Sequence, residues 1–433
     1  MIPIKKLKDL SDIDLAGLFN RTGEDLTSIM INTVIPIVAD VKKNGDKAVI
    51  KYTEKFDGVR LDSIIASRDE IEAGRRNIAD DVYNAFLEAK HNIEEFHLLQ
   101  KRENIRRKRP DGTELGVLYQ PIESAAIYVP GGKALYPSSV LMGVIPARVA
   151  GTRNIALVTP PGKNGLVPDI ICAVCSMLGV ATVVKSGGAQ GIAAAGFGTE
   201  SVARADIIVG PGNIYVTAAK TYLYSLGAVQ IDTMAGPSEV LIIADGRANP
   251  KWVAWDLLSQ AEHDEMAVAL LLTTSQELAE KVREEVAGDL GSGLGRHAIK
   301  KASMERSGLI LLADSIEQAI DFSNRYGPEH MEFMVDNPMD YLDRIRNVGS
   351  LFLGDYAPVS VGDYYSGTNH ILPTAGAARF ASGTSVDTFI RRTTYQMLSR
   401  EALAGARKAV NAMAQAEGFH DKHGGSINIR FEE

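Results

Sequence analysis

The spacing of apolar positions changes twice along this chain. From Asp12 to about Gln100 they recur every three or four residues, through Ile29 to Val41 and again from Asp80 to Leu99, which predicts a mainly helical region with a stop at Gly45. After Pro110-Asp-Gly112 short apolar runs alternate with helical stretches. Ser124 to Val129, Ile155 to Val158, Thr182 to Lys185 and Asp206 to Val209 predict buried strands, with helices at Ser138 to Ala150, Val167 to Leu178 and Ala189 to Ala195 between them. Such alternation builds parallel βαβ units. A second series opens at Ser238 to Ala244 and continues through a helix from Pro250 to His263, strands at Ala267 to Thr273, Leu309 to Leu312 and Met331 to Val335, and helices at Gln276 to Val286 and Ile316 to Arg325. Glycines between Gly288 and Gly295 predict a surface loop with a solvated His297 beside it. Ser385 to Ala416 reads as amphipathic helix, followed by a short strand from Ser426 to Arg430. The predicted fold is α/β: two doubly wound, incomplete Rossmann-like domains with helical N-terminal and C-terminal appendages. Its expected divisions are 1–110, part of which packs with the second α/β domain, 111–236, 237–382 and 383–433.

Length agrees, since 433 residues exceed what one ordinary core holds. The formal charge of -8, with both signs interspersed and no basic block, argues against a nucleic-acid footprint or a polybasic membrane patch. Cys172 and Cys175 are the only cysteines, too few for a disulfide framework and suited to a reducing compartment; inside a helical pattern they read as small buried residues. Met1-Ile-Pro-Ile-Lys-Lys has no apolar stretch after its basic residues, and no later run is long enough for a bilayer, so a cytoplasmic location is expected.

Candidate chemistry falls at the ends of these elements. Tyr128-Val-Pro-Gly-Gly132, Ser186-Gly-Gly-Ala-Gln190 and Gly210-Pro-Gly-Asn213 follow strands, where free amides favour a phosphate-bearing ligand, although glycine turns also serve simply to reverse the chain. Gly196-Phe-Gly198-Thr-Glu-Ser201 lacks the third glycine of a dinucleotide fingerprint. In Leu257-Leu-Ser-Gln-Ala-Glu-His263, helical spacing can aim Gln260 and His263 at one divalent metal. Glu329 and His330, in Tyr326-Gly-Pro-Glu-His330, are either a general-base pair or part of an ordinary surface turn. The run Val361 to Thr374 offers Asp363 as a further ligand, with Asn369 and His370 able to brace it. Near the end, Glu417, His420 and His423 suggest a tail that docks onto a site. His91 and His97 read as solvent-facing or packing residues.

In their joint order these motifs, with Ala235-Gly-Pro-Ser-Glu-Val240, Pro328-Glu-His330 and Asn369-His-Ile-Leu-Pro-Thr374, resemble the L-histidinol dehydrogenase family over nearly the whole chain. The resemblance implies a zinc- and NAD-dependent oxidation of L-histidinol to L-histidine through bound L-histidinaldehyde, with two NAD+ reduced, as the last two steps of histidine biosynthesis. It implies one Zn2+ per subunit on Gln260, His263, Asp363 and His423; Glu329 as the water-activating acid and His330 as the proton-accepting base; and NAD contacts at Tyr128, Gln190 and Asn213. Substrate contacts would be Ser238 and Glu417, shared with His330, Asp363 and the metal ligands. The family spaces its tail glutamate and histidine five apart; here His423 is six from Glu417 and His420 three, and counting back from Ser426-Ile-Asn-Ile-Arg430 favours His423. Members are homodimers whose tail reaches the neighbour's site. Rival readings are a related zinc/NAD dehydrogenase of another small alcohol such as a sulfonated diol, a zinc hydrolase, which leaves the glycine turns unexplained, and a silent metal scaffold, which has no need of Glu329 and His330.

Overall fold

The computed structural model describes all residues except 1, 22–25, 132–134, 234–235 and 433, so Gly132 and Ala235 of the motifs above lie outside the described residues. The chain forms two compact units, one of Met1–Gln100 with Ile122–Phe389 and one of Lys101–Pro121 with Ile390–Glu433.

The larger unit contains two all-parallel sheets. The first has the strand order Thr182–Lys185, Asn154–Thr159, Ser124–Tyr128, Ile207–Val209, Gln230–Ile231. The second runs Ile4–Lys6, Leu309–Leu312, Val268–Thr273, Glu239–Ala244, His330–Met334, Ser350–Leu353. In the first sheet, and in the second apart from its edge strand Ile4–Lys6, the chain starts at a central strand, moves outward one way, then returns to the other side, so each sheet has a point where its connections diverge. Each strand feeds both faces because its side chains alternate. Ile127, Leu157 and Val183 pack under the helices Pro137–Ala150 and Asp169–Leu178, while Ala126, Val158 and Val184 face Gly188–Phe197 and Ile214–Ser225. In the second sheet Val240, Ile242 and Leu271 meet the helix Pro250–Ala261, and Leu241, Ile243 and Phe333 meet Ile316–Tyr326. Each such buried aliphatic side chain contributes roughly 1.5–3 kcal/mol relative to exposure. The fully buried Cys172 and Cys175 belong to the first of these cores, and burial pushes the Cys172 thiol up to about 12. Among the described residues no helix is long and apolar enough to cross a membrane.

Where the first sheet's connections diverge, Gly210 has φ +128 and lies so near the neighbouring strand Ser124–Tyr128 that an added Cβ would overlap the Tyr128 carbonyl oxygen. Gly210→Ala is expected to lower unfolding free energy by about 2–4 kcal/mol in chemical denaturation. Gly227→Ala, also at positive φ but with nothing within 4 Å, is the control, with a loss of about 1–2 kcal/mol.

The stop expected at Gly45 is present: at φ 53, ψ -135 that residue is non-helical and divides Ile35–Asp57 into two helices. Several other local expectations change. The loop expected from Gly288 is helical as far as Ser292, and His297, half-buried, opens the next helix. Instead of one helix from Ser385, the smaller unit has a strand, Ile390–Met397, pairing antiparallel with Glu114–Pro121, which also pairs with Ile105–Lys108. The run Thr393-Thr-Tyr395 is β-branched and aromatic, and opposite Val117, Leu118 and Gly116 it gains cross-strand contacts that a helix would not supply. The expected strand from Ser426 is helical, Lys422–Asn428, because Asn428 exchanges side-chain hydrogen bonds with Asn411 (2.9 and 3.1 Å) on Arg400–Ala416. The C-terminal appendage is therefore mixed and not purely helical.

Candidate active site

The helix Ile316–Tyr326 ends at Gly327, in the left-handed conformation at φ +63, and Pro328 turns the chain into the strand His330–Met334. That strand lies parallel to Glu239–Ala244, with His330 opposite Val240, so Glu239, Glu329 and His330 meet at the amino edge of the second sheet. The Glu239 N–H donates to Glu329 Oε2 at 2.7 Å, and His330 Nδ1 lies 3.0 Å from the Glu239 carbonyl oxygen and 3.5 Å from Glu329 Oε2. A carbonyl only accepts, so Nδ1 carries a proton, and in the neutral ring, the form a base needs, Nε2 presents its lone pair. Nε2 is buried, has no hydrogen-bond partner among the described residues, and faces Asp363 Oδ1 at 3.8 Å. Burial opposes a charge on this imidazole, but Glu329 and then Asp363 outweigh it and hold His330 at about 9.

Asp363 sits on the short helix Val359–Tyr364. Its carbonyl oxygen takes His370 Nδ1 at 2.9 Å, and His370 Nε2 meets Ser139 Oγ at 3.0 Å, at the start of the helix that follows the first sheet's central strand. Burial keeps His370 below its ordinary value. Asn369 donates to the Met142 carbonyl at 2.7 Å and accepts from Ile371 N–H at 2.9 Å. Both residues are braces linking the Asp363 loop to the first sheet's helix. His97, likewise buried, packs there with Nδ1 on Ile93 O at 2.8 Å.

Gln260 lies in the last turn of Pro250–Ala261, which runs antiparallel to the strands and so returns to the same amino edge. It is 1 % exposed, yet among the described residues neither its Oε1 nor its Nε2 has a partner. A buried amide left unpaired costs about 1–3 kcal/mol, so this side chain is built for something beyond the polypeptide. His263 follows in a turn whose N–H donates to Gln260 O at 3.2 Å. Among the described residues no group of three or more His, Cys, Asp and Glu is arrayed for a metal; Gln260 falls outside those residue types. Glu417, His420 and His423 belong to the smaller unit and are exposed, Glu417 capping Arg400–Ala416 and His423 on Lys422–Asn428.

At the carboxyl edge of the first sheet, the buried Tyr128 hydroxyl accepts from Gly188 N–H at 3.2 Å, and burial pushes that phenol up to about 12. Gln190, in the first turn of Gly188–Phe197, is buried, and its Oε1 has no partner among the described residues. Asn213 caps Ile214–Ser225, its Oδ1 accepting from Tyr215 N–H at 3.1 Å and Val216 N–H at 3.2 Å, which leaves its Nδ2 as the group able to face a ligand. Ser238 is half-buried one residue before Glu239.

A family model for histidinol dehydrogenase matches residues 20–431. The chain belongs to the histidinol dehydrogenase family. It is 47% identical over 426 residues to a histidinol dehydrogenase of Leptospira interrogans, covering 98% of each chain, and 43% identical over 430 residues to that of Methanothermobacter thermautotrophicus, covering 99% of this chain and 100% of the other. The crystal structure of histidinol dehydrogenase from Elizabethkingia anophelis superposes with TM-score 0.93 at 40% identity, over 100% of this chain and 98% of that one.

In this member of the histidinol dehydrogenase family, the residues that pattern reading misses are buried charges. Glu239 joins every part of the Glu329–His330 cluster, and its Oε1 also accepts from Ala375 N–H at 3.1 Å. Burial raises its carboxyl to about 7 against the pull of Arg21, which is paired with it at 2.6 Å and stacked 3.5 Å over the Tyr326 ring. Lys220 pairs with Asp232 and donates to Gly210 O at 2.9 Å, while Asp232 accepts from Gly210 N–H at 2.7 Å, clamping that glycine turn. A single charged residue in an otherwise apolar strand or helix face is the signal that finds them, because such a charge persists only when paired.

Proposed function

We propose that the chain is an L-histidinol dehydrogenase, oxidising L-histidinol to L-histidine through bound L-histidinaldehyde with reduction of two NAD+, the last two steps of histidine biosynthesis. The observation that carries this reading is His330, whose Nδ1 is engaged by the Glu239 carbonyl and whose buried Nε2 is left open beside Glu329 and Asp363. His330 takes the substrate hydroxyl proton at Nε2, and the two neighbouring carboxylates stabilise the imidazolium that forms. Glu329 then polarises the water that hydrates the aldehyde, so that carbon holds a second hydride to give up. When bound, NAD+ supplies the hydride acceptor for each oxidation.

The unpaired amide of Gln260, the Asp363 carboxylate and the two imidazoles fit a borderline-soft cation, so we assign one Zn2+ per subunit to Gln260, His263, Asp363 and His423. Zinc there supplies a positive point for the nitrogen atoms of the substrate. Ser238 and Glu417 complete the substrate contacts with His330, Asp363 and the metal ligands. The exposed tail carrying Glu417 and His423 reaches a neighbouring subunit in a homodimer. The first sheet, read as a Rossmann-like half by its strand order, takes NAD at Tyr128, Gln190 and Asn213, and the second, of the same order, carries the metal and the Glu–His pair. The chain works in the cytoplasm, in keeping with its free, buried cysteines.

NADH absorbance with L-histidinol tests the reading. Two NADH per histidinol are expected, with loss of activity on chelation and recovery with Zn2+; no NADH from histidinol would overturn it, and one per alcohol would remove the second oxidation.

A further inference from the structure

Beneath the cluster lies a second set of polar groups that the reaction does not use. Glu332 is the next residue after His330 on the same face of its strand and is fully buried. Its Oε1 accepts from Val359 N–H at 2.8 Å, at the start of the helix that carries Asp363. On its other side it meets the Asp256 side chain, on the helix that carries Gln260. Asp256 precedes Gln260 by one helical turn, and Val359 precedes Asp363 by the same interval. Glu332, Asp256 and Val359 thus form a layer one step below His330, Gln260 and Asp363, tying together the three elements that bear them.

Two carboxylates cannot hydrogen-bond to each other, and without a proton Glu332 Oε2 is a buried acceptor with no partner among the described residues. One shared proton turns the contact into a hydrogen bond. Burial drives both carboxyls above their ordinary values; the neighbouring Asp256 raises Glu332 further while His330 lowers it, and the hydrogen bond with Glu332 lowers Asp256, so the shared proton sits on Glu332.

We propose that Glu332 and Asp256 are positioning residues, a proton-sharing carboxyl pair that clamps the Gln260 helix and the Asp363 helix to the His330 strand and so sets the spacing of the metal ligands. This rests on the metal site proposed above. Groups that orient ligands from behind typically govern metal affinity by 10–100-fold. Because the pair's folded carboxyls titrate above their unfolded values, its contribution to stability is complete at acid pH and is lost as pH rises through the folded values.

The test uses the full-length protein with Asp256→Ala and Glu332→Gln. The amide introduced by E332Q retains an acceptor for the Val359 N–H and a donor for Asp256, so this variant should bind Zn2+ within about twofold of wild type and keep the KM for L-histidinol, while losing the infrared carbonyl band of a protonated carboxyl at pH 8 and above, where Glu239, at about 7, is largely ionised and Glu332, at about 9, is not. D256A should fold, weaken Zn2+ binding about tenfold or more, and raise the KM for L-histidinol with that for NAD+ unchanged. The wild-type thermal midpoint should fall more than that of E332Q as pH is raised, the difference reporting ionisation of the pair together with its coupling to His330. The clamp is overturned if D256A keeps wild-type zinc affinity, if E332Q loses zinc as D256A does, or if the infrared band survives in E332Q. Should the wild type hold no zinc, the functional reading fails, while the clamp is still judged by that band and by hydrogen exchange at the Val359 amide, which D256A should accelerate.

Discussion

Replacing His330 by Asn is expected to lower kcat for L-histidinol by about 10²–10⁴-fold, the usual contribution of a positioned general base. That corresponds to about 3–5 kcal/mol of transition-state stabilisation. The variant is chosen because an Asn amide can still donate to the Glu239 carbonyl in place of Nδ1, 3.0 Å away in the wild type, so the local backbone pairing survives. What disappears is the lone pair at Nε2, which has no hydrogen-bond partner among the described residues and is the atom that takes the substrate proton in this reading. KM for NAD+ and zinc content should stay near wild type, because neither rests on this ring. A kcat loss of less than about threefold would remove His330 from the role of base.

The elements around this site were legible to different degrees, for physical reasons. Apolar runs such as Leu309–Leu312 and Thr182–Lys185 have the strand bounds expected from the sequence, since a parallel strand buried on both faces is written as continuous hydrophobicity. Ile390–Met397 was not legible, because most of its residues are exposed and its stability comes from pairing with Glu114–Pro121, more than 260 residues away. Glu329 and His330 could be named from their motif, but the residue that sets the His330 tautomer is a backbone carbonyl at Glu239, and a backbone group leaves no mark in composition. Glu239 and Glu332 were open to notice as lone carboxylates in buried strands; their partners, Arg21 and Asp256, come from segments whose convergence only the sheet order shows. Each of the two sheets also uses a different edge: the first presents the carboxyl ends of its strands at Tyr128 and Gly210, the second the amino ends at Glu239 and His330. Alternation of helix and strand predicts both sheets, but not which edge carries the chemistry.

Glu329→Gln should separate the two oxidations that His330→Asn stops together. Gln can still accept the Glu239 N–H that Glu329 Oε2 holds at 2.7 Å, so the strand edge keeps its geometry. It cannot polarise water, and hydration of the aldehyde is the step that needs this. The first hydride transfer should therefore persist at a reduced rate, while the second falls by about 10²–10³-fold, so that rapid-mixing absorbance shows one NADH per site where the wild type gives two. The loss of charge has a second consequence of definite sign. Burial lowers the His330 pKa and Glu329 is first among the influences that raise it, so the neutral Gln should shift the imidazole downward from its value of about 9. The acid limb of the pH–rate profile for the first oxidation should then move to lower pH. A variant that still releases two NADH at the wild-type ratio of rates would show that water is activated by another group, and Glu329 would be left as the partner that orients His330.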